Sequence, residues 1–207
     1  MINIVCAWKT GGDFTSAYVR NLAGMVYRTV KDPYIFTCFT DVSALSNDAF
    51  VSLDAHLTGW WSKLACFRMN SYPTIYLDLD TIILDDMQGL INAVKKCREN
   101  EFFMLKPQRA TEKWASGIMA WNGDFKWILD KFDSTDEEKY KWDQRYISNS
   151  LEEKGIKIRA IQRIQHGIYS YKKHCKKGVP EDAKIILFHG KPRPHEVKDE
   201  WVKDNWC

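Results

Sequence analysis

Asp78 and Asp80 stand two positions apart, directly after the apolar run Ile75-Tyr76-Leu77 and just before Ile82-Ile83-Leu84. At the fraying end of a strand, carboxylates at i and i+2 can turn toward one point. Two hard oxygen ligands converging there suit Mg²⁺ or Mn²⁺, which bind one or two carboxylates together with substrate phosphates. A divalent ion bridging a diphosphate would act as a Lewis acid on a departing nucleotide. The plainer reading is a pair of solvated loop acids. Their position, pinched between two apolar runs, favours the functional one.

The elements that must carry such a site alternate along the chain. Strands are predicted over Ile2–Cys6, Tyr34–Thr40, Thr74–Leu77, Phe102–Leu105, Gly117–Trp121, Ile156–Ile161 and Ile185–Phe188. Helices are predicted over Ser16–Val30, Gly59–Arg68, Leu90–Cys97 and Trp142–Glu153. Strands alternating with helices imply the α/β class, with a mostly parallel central sheet flanked by helices on both faces. In such folds ligands bind beyond the carboxyl ends of the strands. That rule selects Ala7-Trp8, Asp41, Asp78/Asp80 and His189, each of which follows a predicted strand.

Composition limits the alternatives. The chain has 207 residues, 45% hydrophobic and 28% charged, which points to one soluble globular domain and excludes disordered, collagen-like and coiled-coil classes. No apolar run approaches the ~18 residues of a membrane span. The opening MINIVCAWKT is too short and polar for a signal peptide, so a cytoplasmic location is expected. Cys6, Cys38, Cys66, Cys97, Cys175 and Cys207 include no CxxC pair and are expected to be reduced thiols, several in the core. The net charge of +3 does not by itself announce a nucleic-acid partner.

Two family resemblances compete for the carboxylate block. The run YLDLDTIIL resembles the nucleophile motif of haloacid dehalogenase-like phosphatases, which would make Asp78 a phosphoryl acceptor, Asp80 an acid/base and Mg²⁺ the clamp. Against it, Ile82 stands where Thr or Val is expected, and about seventy residues precede a motif that normally opens its domain. The second resemblance uses more of the chain. SKLACF (Ser62–Phe67), YLDLDTIIL, the stretch Trp114-Ala115-Ser116-Gly117-Ile118-Met119, Asp143-Gln144 and FHGKP (Phe188–Pro192) resemble, in order, the blocks of the family-8 glycosyltransferases, the glycogenin-like and galactosyltransferase-like enzymes of the GT-A fold.

This second resemblance implies a single Rossmann-like GT-A domain over residues 1–195, with an aromatic and charged tail over 196–207. It implies transfer of a sugar from a nucleotide-diphosphate sugar, with a UDP-sugar expected, and retention of anomeric configuration. Asp78, Asp80 and His189 would hold Mn²⁺, with Mg²⁺ as the substitute; an oxygen/imidazole set favours Mn²⁺. Lys63 and Lys191 would contact the donor diphosphate, Asp78 would face the nucleotide as well as the metal, and Gly190 would let the backbone approach. Ala7, Trp8 and Tyr18 would border the nucleotide. Asp143 and Gln144 would lie near the anomeric carbon, where an oxygen can stabilise oxocarbenium-like charge.

The acceptor stays open among polysaccharide, protein, lipid headgroup and nucleic acid, as does the oligomeric state. Two features could serve it: the basic run Lys172, Lys173, His174, Lys176 and Lys177, with Lys191 and Arg193, and the tryptophans Trp60-Trp61, Trp201 and Trp206. Ala115, where many members of the family carry Asn, implies a lost sugar-hydroxyl contact. A silent sugar- or nucleic-acid-binding module is the reading from outside enzymology.

Overall fold

The computed structural model describes residues 1–42, 49–53, 56–107 and 112–207. Its large sheet has seven strands in the order β3-β2-β1-β4-β7-β6-β8: β1 (Ile2–Trp8), β2 (Tyr34–Thr40), β3 (Phe50–Ser52), β4 (Thr74–Leu77), β6 (Glu101–Leu105), β7 (Ala115–Trp121) and β8 (Lys157–Ala160). Only β7 runs against its neighbours β4 and β6; the remaining pairs are parallel. The predicted mostly parallel α/β sheet is therefore present.

Side-chain alternation divides each central strand between two cores. Ile4, Cys6, Ile75, Leu77, Phe103, Leu105, Ile118 and Ala120 face one, with helix α1 (Ser16–Thr29) and α2 (Gln88–Lys95). Val5, Tyr76, Phe102, Met104, Met119 and Trp121 face the other, against the segment Gly59–Arg68 and helix α5 (Asp143–Glu153). Burial on both faces explains why β1, β4 and β7 read as continuous apolar runs. Short helices α3 (Trp127–Asp130) and α4 (Thr135–Tyr140) precede α5. All six cysteines are free thiols, and five of them are buried.

Besides β3, α3 and α4, which fall where no element was predicted, three features depart from the predicted elements. Gly59–Arg68 is a ten-residue 3₁₀ segment instead of an α-helix. Residues Trp61 through Phe67 are all buried, so this stretch has no solvent face and no amphipathic period to read. A second, three-stranded sheet, β5-β10-β9, was not expected; it joins β5 (Thr81–Ile83), β9 (Ile168–Ser170) and β10 (Ile185–Leu187). Finally, α6 (Tyr171–His174) and α7 (Glu200–Asn205) fall in the C-terminal part, where no helix was predicted. Val202 of α7 is buried in the first core, and Arg28 on α1 donates to the carbonyls of Asn205 and Cys207. Residues 196–207 thus pack back onto the sheet's α1 side. Among the described residues no helix is long and apolar enough to cross a membrane.

Candidate active site

The link Asp78-Leu79-Asp80 joins the two sheets: β4 of the large sheet ends at Leu77, and β5 of the small one begins at Thr81. Each end of the link is fixed by the backbone. Asp78 N–H donates to the Gly117 carbonyl at 2.9 Å, and Phe188 N–H donates to the Asp80 carbonyl at 3.1 Å. The second bond, with β5–β10 pairing, brings the segment Phe188–Pro192 beside Asp80 from more than a hundred residues away. Gly117 packs close to the link: a Cβ there would lie 3.3 Å from Asp78 Oδ2, so any side chain would press on the Asp78 carboxylate.

Beneath Asp78 lies a buried ionic cluster. Lys63 is only 5% exposed. Its ammonium sits 3.1 Å from Asp78 Oδ1 and 2.9 Å from Asp143 Oδ2, and it donates to Ser116 Oγ at 2.9 Å. Ser116 Oγ donates in turn to Asp143 Oδ2 at 2.5 Å, and Tyr76 OH donates to Asp78 Oδ1 at 2.7 Å. Burial alone would lower the Lys63 pKa, but Asp143 and Asp78 more than reverse this and hold the amine protonated. Burial and the neighbouring Asp78 carboxylate likewise keep the Tyr76 phenol protonated. One cation, two carboxylates and two hydroxyls thus form a satisfied network that fixes Asp143 at the start of α5 and Asp78 at the end of β4. Both of these contacts to Asp143 fall on Oδ2.

Asp80 has a different partner. Arg193 Nη1 donates to Asp80 Oδ2, its Nε lies 3.4 Å from Asp13 Oδ2, and its guanidinium covers the Phe14 ring at 4.6 Å. Sequence reasoning placed Arg193 only among the basic residues of the tail. The pairing spans 113 positions, and no local signal carries it. Desolvation, then the negative charge of Asp78, push the Asp80 carboxyl up to about 7 despite the opposing Arg193. A carboxyl whose folded pKa is raised binds more protons folded than unfolded between about pH 4 and 7. Stability associated with Asp80 is therefore full below about pH 4 and lost as pH rises through 7. In thermal melts without divalent ions, the wild type should lose more stability than Asp80→Asn across that window. Parallel curves for the two proteins would contradict this account.

The other predicted site residues fall into two groups. Ala7 and Trp8 end β1 at the same edge of the sheet, with Trp8 buried and its indole N–H donating to the Phe14 carbonyl at 3.1 Å. Gly190 adopts φ +71° in the left-handed region, and a Cβ there would meet Lys172 Nζ at 3.3 Å. Gln144 follows Asp143 on α5 and is half-buried. Tyr18, by contrast, is buried against Phe14 and Trp206, and its hydroxyl meets His195 Nδ1 at 2.5 Å. Lys191 is exposed and pairs with Glu196 at 2.8 Å. The His189 ring meets Ser170 Oγ through Nε2 at 2.6 Å. Among the described residues no three His, Cys, Asp or Glu side chains converge as a metal-holding group.

The tryptophans separate as well. Trp61 is buried and stacks on Phe132 at 5.1 Å, a core residue. Trp60 is 53% exposed and faces Trp142, itself 46% exposed, with ring centroids 5.5 Å apart. Trp60 lies three positions before Lys63 in the 3₁₀ segment, and Trp142 immediately precedes Asp143. Trp201 and Trp206 pack against the first core.

No family model matches this chain, and no curated protein matches its sequence. Solved structures do match its fold. A galactosyltransferase, LgtC, crystallised with donor and acceptor sugar analogues, superposes with a TM-score of 0.62 over 98% of this chain and 93% of its own, at 16% identity. The chain has the GT-A glycosyltransferase fold. The glycosyltransferase GlyE of Streptococcus pneumoniae TIGR4 matches with a TM-score of 0.64 at 14% identity, over all of this chain and 60% of its own length. A glycosyltransferase involved in glycosylation of the major capsid of PBCV-1 matches with a TM-score of 0.57 at 12% identity, over 98% of both chains. With this GT-A fold, the resemblance read from SKLACF, YLDLDTIIL and FHGKP agrees with the three-dimensional structure.

Proposed function

We propose that this protein is a glycosyltransferase that moves a sugar from a nucleotide-diphosphate sugar, with UDP as the expected nucleotide, to a saccharide-bearing acceptor. The observation that carries this reading is the Lys63–Asp78–Asp143–Ser116 network at the carboxyl edge of a GT-A sheet, with Asp80 beside it. An α/β sheet binds ligands at this edge. A fixed carboxylate at the head of α5 suits positive charge developing on a sugar carbon.

The donor set fits a divalent cation. Asp78 and Asp80 act on one another electrostatically, and a guanidinium already covers Asp80, so this pair holds positive charge. Asp78 and Asp80 would hold Mn²⁺ or Mg²⁺, with diphosphate oxygens completing the shell. His189 would join only after its ring leaves Ser170. When bound, the ion supplies Lewis-acid stabilisation of the departing diphosphate. Lys63 holds Asp78 and Asp143 in place, Gly190 allows close backbone approach, and the Trp60–Trp142 pair offers an apolar face on which an acceptor sugar ring can stack. The phosphatase reading is weaker here, because Asp78 Oδ1, a nucleophile in that scheme, is held by both Lys63 and Tyr76.

Arg193 and a divalent ion compete for Asp80 in this reading. Arg193→Gln should tighten Mn²⁺ binding to the nucleotide-free protein about tenfold, measured by titration calorimetry or by electron paramagnetic resonance of free Mn²⁺; unchanged or weaker binding would contradict the competition. The reading as a whole is tested by thermal stability against nucleoside diphosphates with Mn²⁺, Mg²⁺ or chelator. A ligand at 100 times its Kd adds about 2.7 kcal/mol. A shift confined to one nucleotide and abolished by chelator supports it, and no shift with any nucleotide refutes it.

A further inference from the structure

The open edge of the large sheet carries a cleft of about 770 Å³. Among the described residues β8 pairs only with β6, and residues from α2's end, β6, β8 and the turn after β8 line the cavity. Six of them are cations, Lys96, Arg98, Lys106, Lys157, Arg159 and Arg163, against one acid, Glu101. The cleft's formal +5 exceeds the +3 of the whole chain, so all remaining residues together are net negative. Glu101 engages Arg159 at 3.3 Å, and Lys106 lies over the Trp114 ring at 3.8 Å. The side chains of Lys96, Arg98, Lys157 and Arg163 make no ion pair among the described residues.

Edge strands often carry lysines that prevent edge-to-edge pairing. That explanation covers Lys157 and Arg159 on β8, but not Lys96, Arg98 and Arg163, which come from other parts of the chain. Gathering unpaired cations from separate elements raises their mutual repulsion, and a bound polyanion relieves it. The cleft also comes near the Lys63 network along the chain: Trp114, one of its lining residues, is two residues from Ser116, at most about 7 Å of chain, and Ser116 holds Asp143.

We infer that this cleft is an acceptor subsite for an acidic polysaccharide, a glycan bearing carboxylate groups along its length. The word acceptor rests on the transferase reading above; anion binding does not. Nucleic acid fits less well, because single strands are held by bases stacked on aromatic side chains. The aromatic residue here, Trp114, is only 7% exposed and is covered by Lys106.

The test is fluorescence anisotropy with a labelled oligogalacturonate, a neutral malto-oligosaccharide of equal length and an oligothymidylate. It compares the wild type with Arg98→Gln/Arg163→Gln, two exposed changes outside the Lys63 network. Hydrolysis of a nucleotide sugar is measured in both proteins. The oligogalacturonate should bind with an affinity that falls steeply with salt, and the double variant should bind it at least tenfold more weakly, with a shallower salt dependence. Equal affinity in the two proteins, or no binding, overturns the cleft assignment even if hydrolysis is intact. Oligothymidylate binding tenfold tighter than oligogalacturonate overturns the glycan assignment. Anion binding without hydrolysis overturns the acceptor role and the transferase reading together.

Discussion

Lys63→Met should lower the melting temperature by about 6–20 °C and reduce sugar transfer at least a hundredfold. Methionine preserves the packing volume but leaves Asp78 and Asp143 facing each other without their shared cation. Breaking a buried ion pair by removing one partner costs about 3–5 kcal/mol, because the remaining charge is uncompensated. In a chain of this size each kcal/mol moves the melting temperature by about 2–4 °C. Catalysis suffers through position: Ser116 and Asp143 lose the donor that fixes them, and Asp78 Oδ1 loses the stronger, charged one of its two partners and keeps the Tyr76 hydroxyl. Arginine should not rescue the variant, since a planar guanidinium does not fit a site shaped for a compact ammonium with three acceptors. Differential scanning calorimetry alongside a transfer assay checks both halves. A Lys63→Met protein with wild-type melting would show that the network is not a structural keystone.

Asp143→Asn should separate chemistry from binding. The amide keeps the side chain's size, and Asp78 still pairs with Lys63, so the fold survives and nucleotide-dependent thermal shifts persist. Removing one preorganised electrostatic group from a reacting centre typically costs 10²–10³ in turnover. Transfer is expected to fall by about that factor with nucleotide affinity nearly unchanged. Were the protein a phosphatase acting through Asp78, Asp143→Asn would leave phosphate release close to normal. Equal losses in transfer and in nucleotide binding would mean that Asp143 acts only by maintaining the site's shape.

Where the sequence was informative, physical reasons are plain. β2 and β4 match their predicted ranges, Tyr34–Thr40 and Thr74–Leu77: β4 is a short run buried throughout, and β2 is an aromatic and β-branched run whose second half is buried while Ile35 is exposed. α5 was legible from its period, with Tyr146, Ile147, Ser150 and Leu151 on the buried face. The ligand edge followed from the α/β class alone. What stayed hidden depends on contacts distant in sequence. β5 and β9 have three residues each, too few to show a period, and exist because β10 pairs with both. The roles given to Lys63 and Asp143 came from a resemblance, and nothing in their own neighbourhoods shows that they meet across Ser116. Arg193 lies between two prolines, at positions 192 and 194, and reads as a basic loop residue; only the folded chain brings it to Asp80.

The central claim is that the Asp78/Asp80 edge binds a nucleotide sugar and activates its anomeric bond. The most direct measurement is release of free nucleoside diphosphate from a panel of nucleotide sugars with water as the only acceptor, with Mn²⁺ and with chelator, for the wild type and Asp143→Asn. Slow, chelator-sensitive release from one donor by the wild type, reduced at least a hundredfold in Asp143→Asn, is the predicted result. Release from no donor, or equal release by both proteins, would contradict the account.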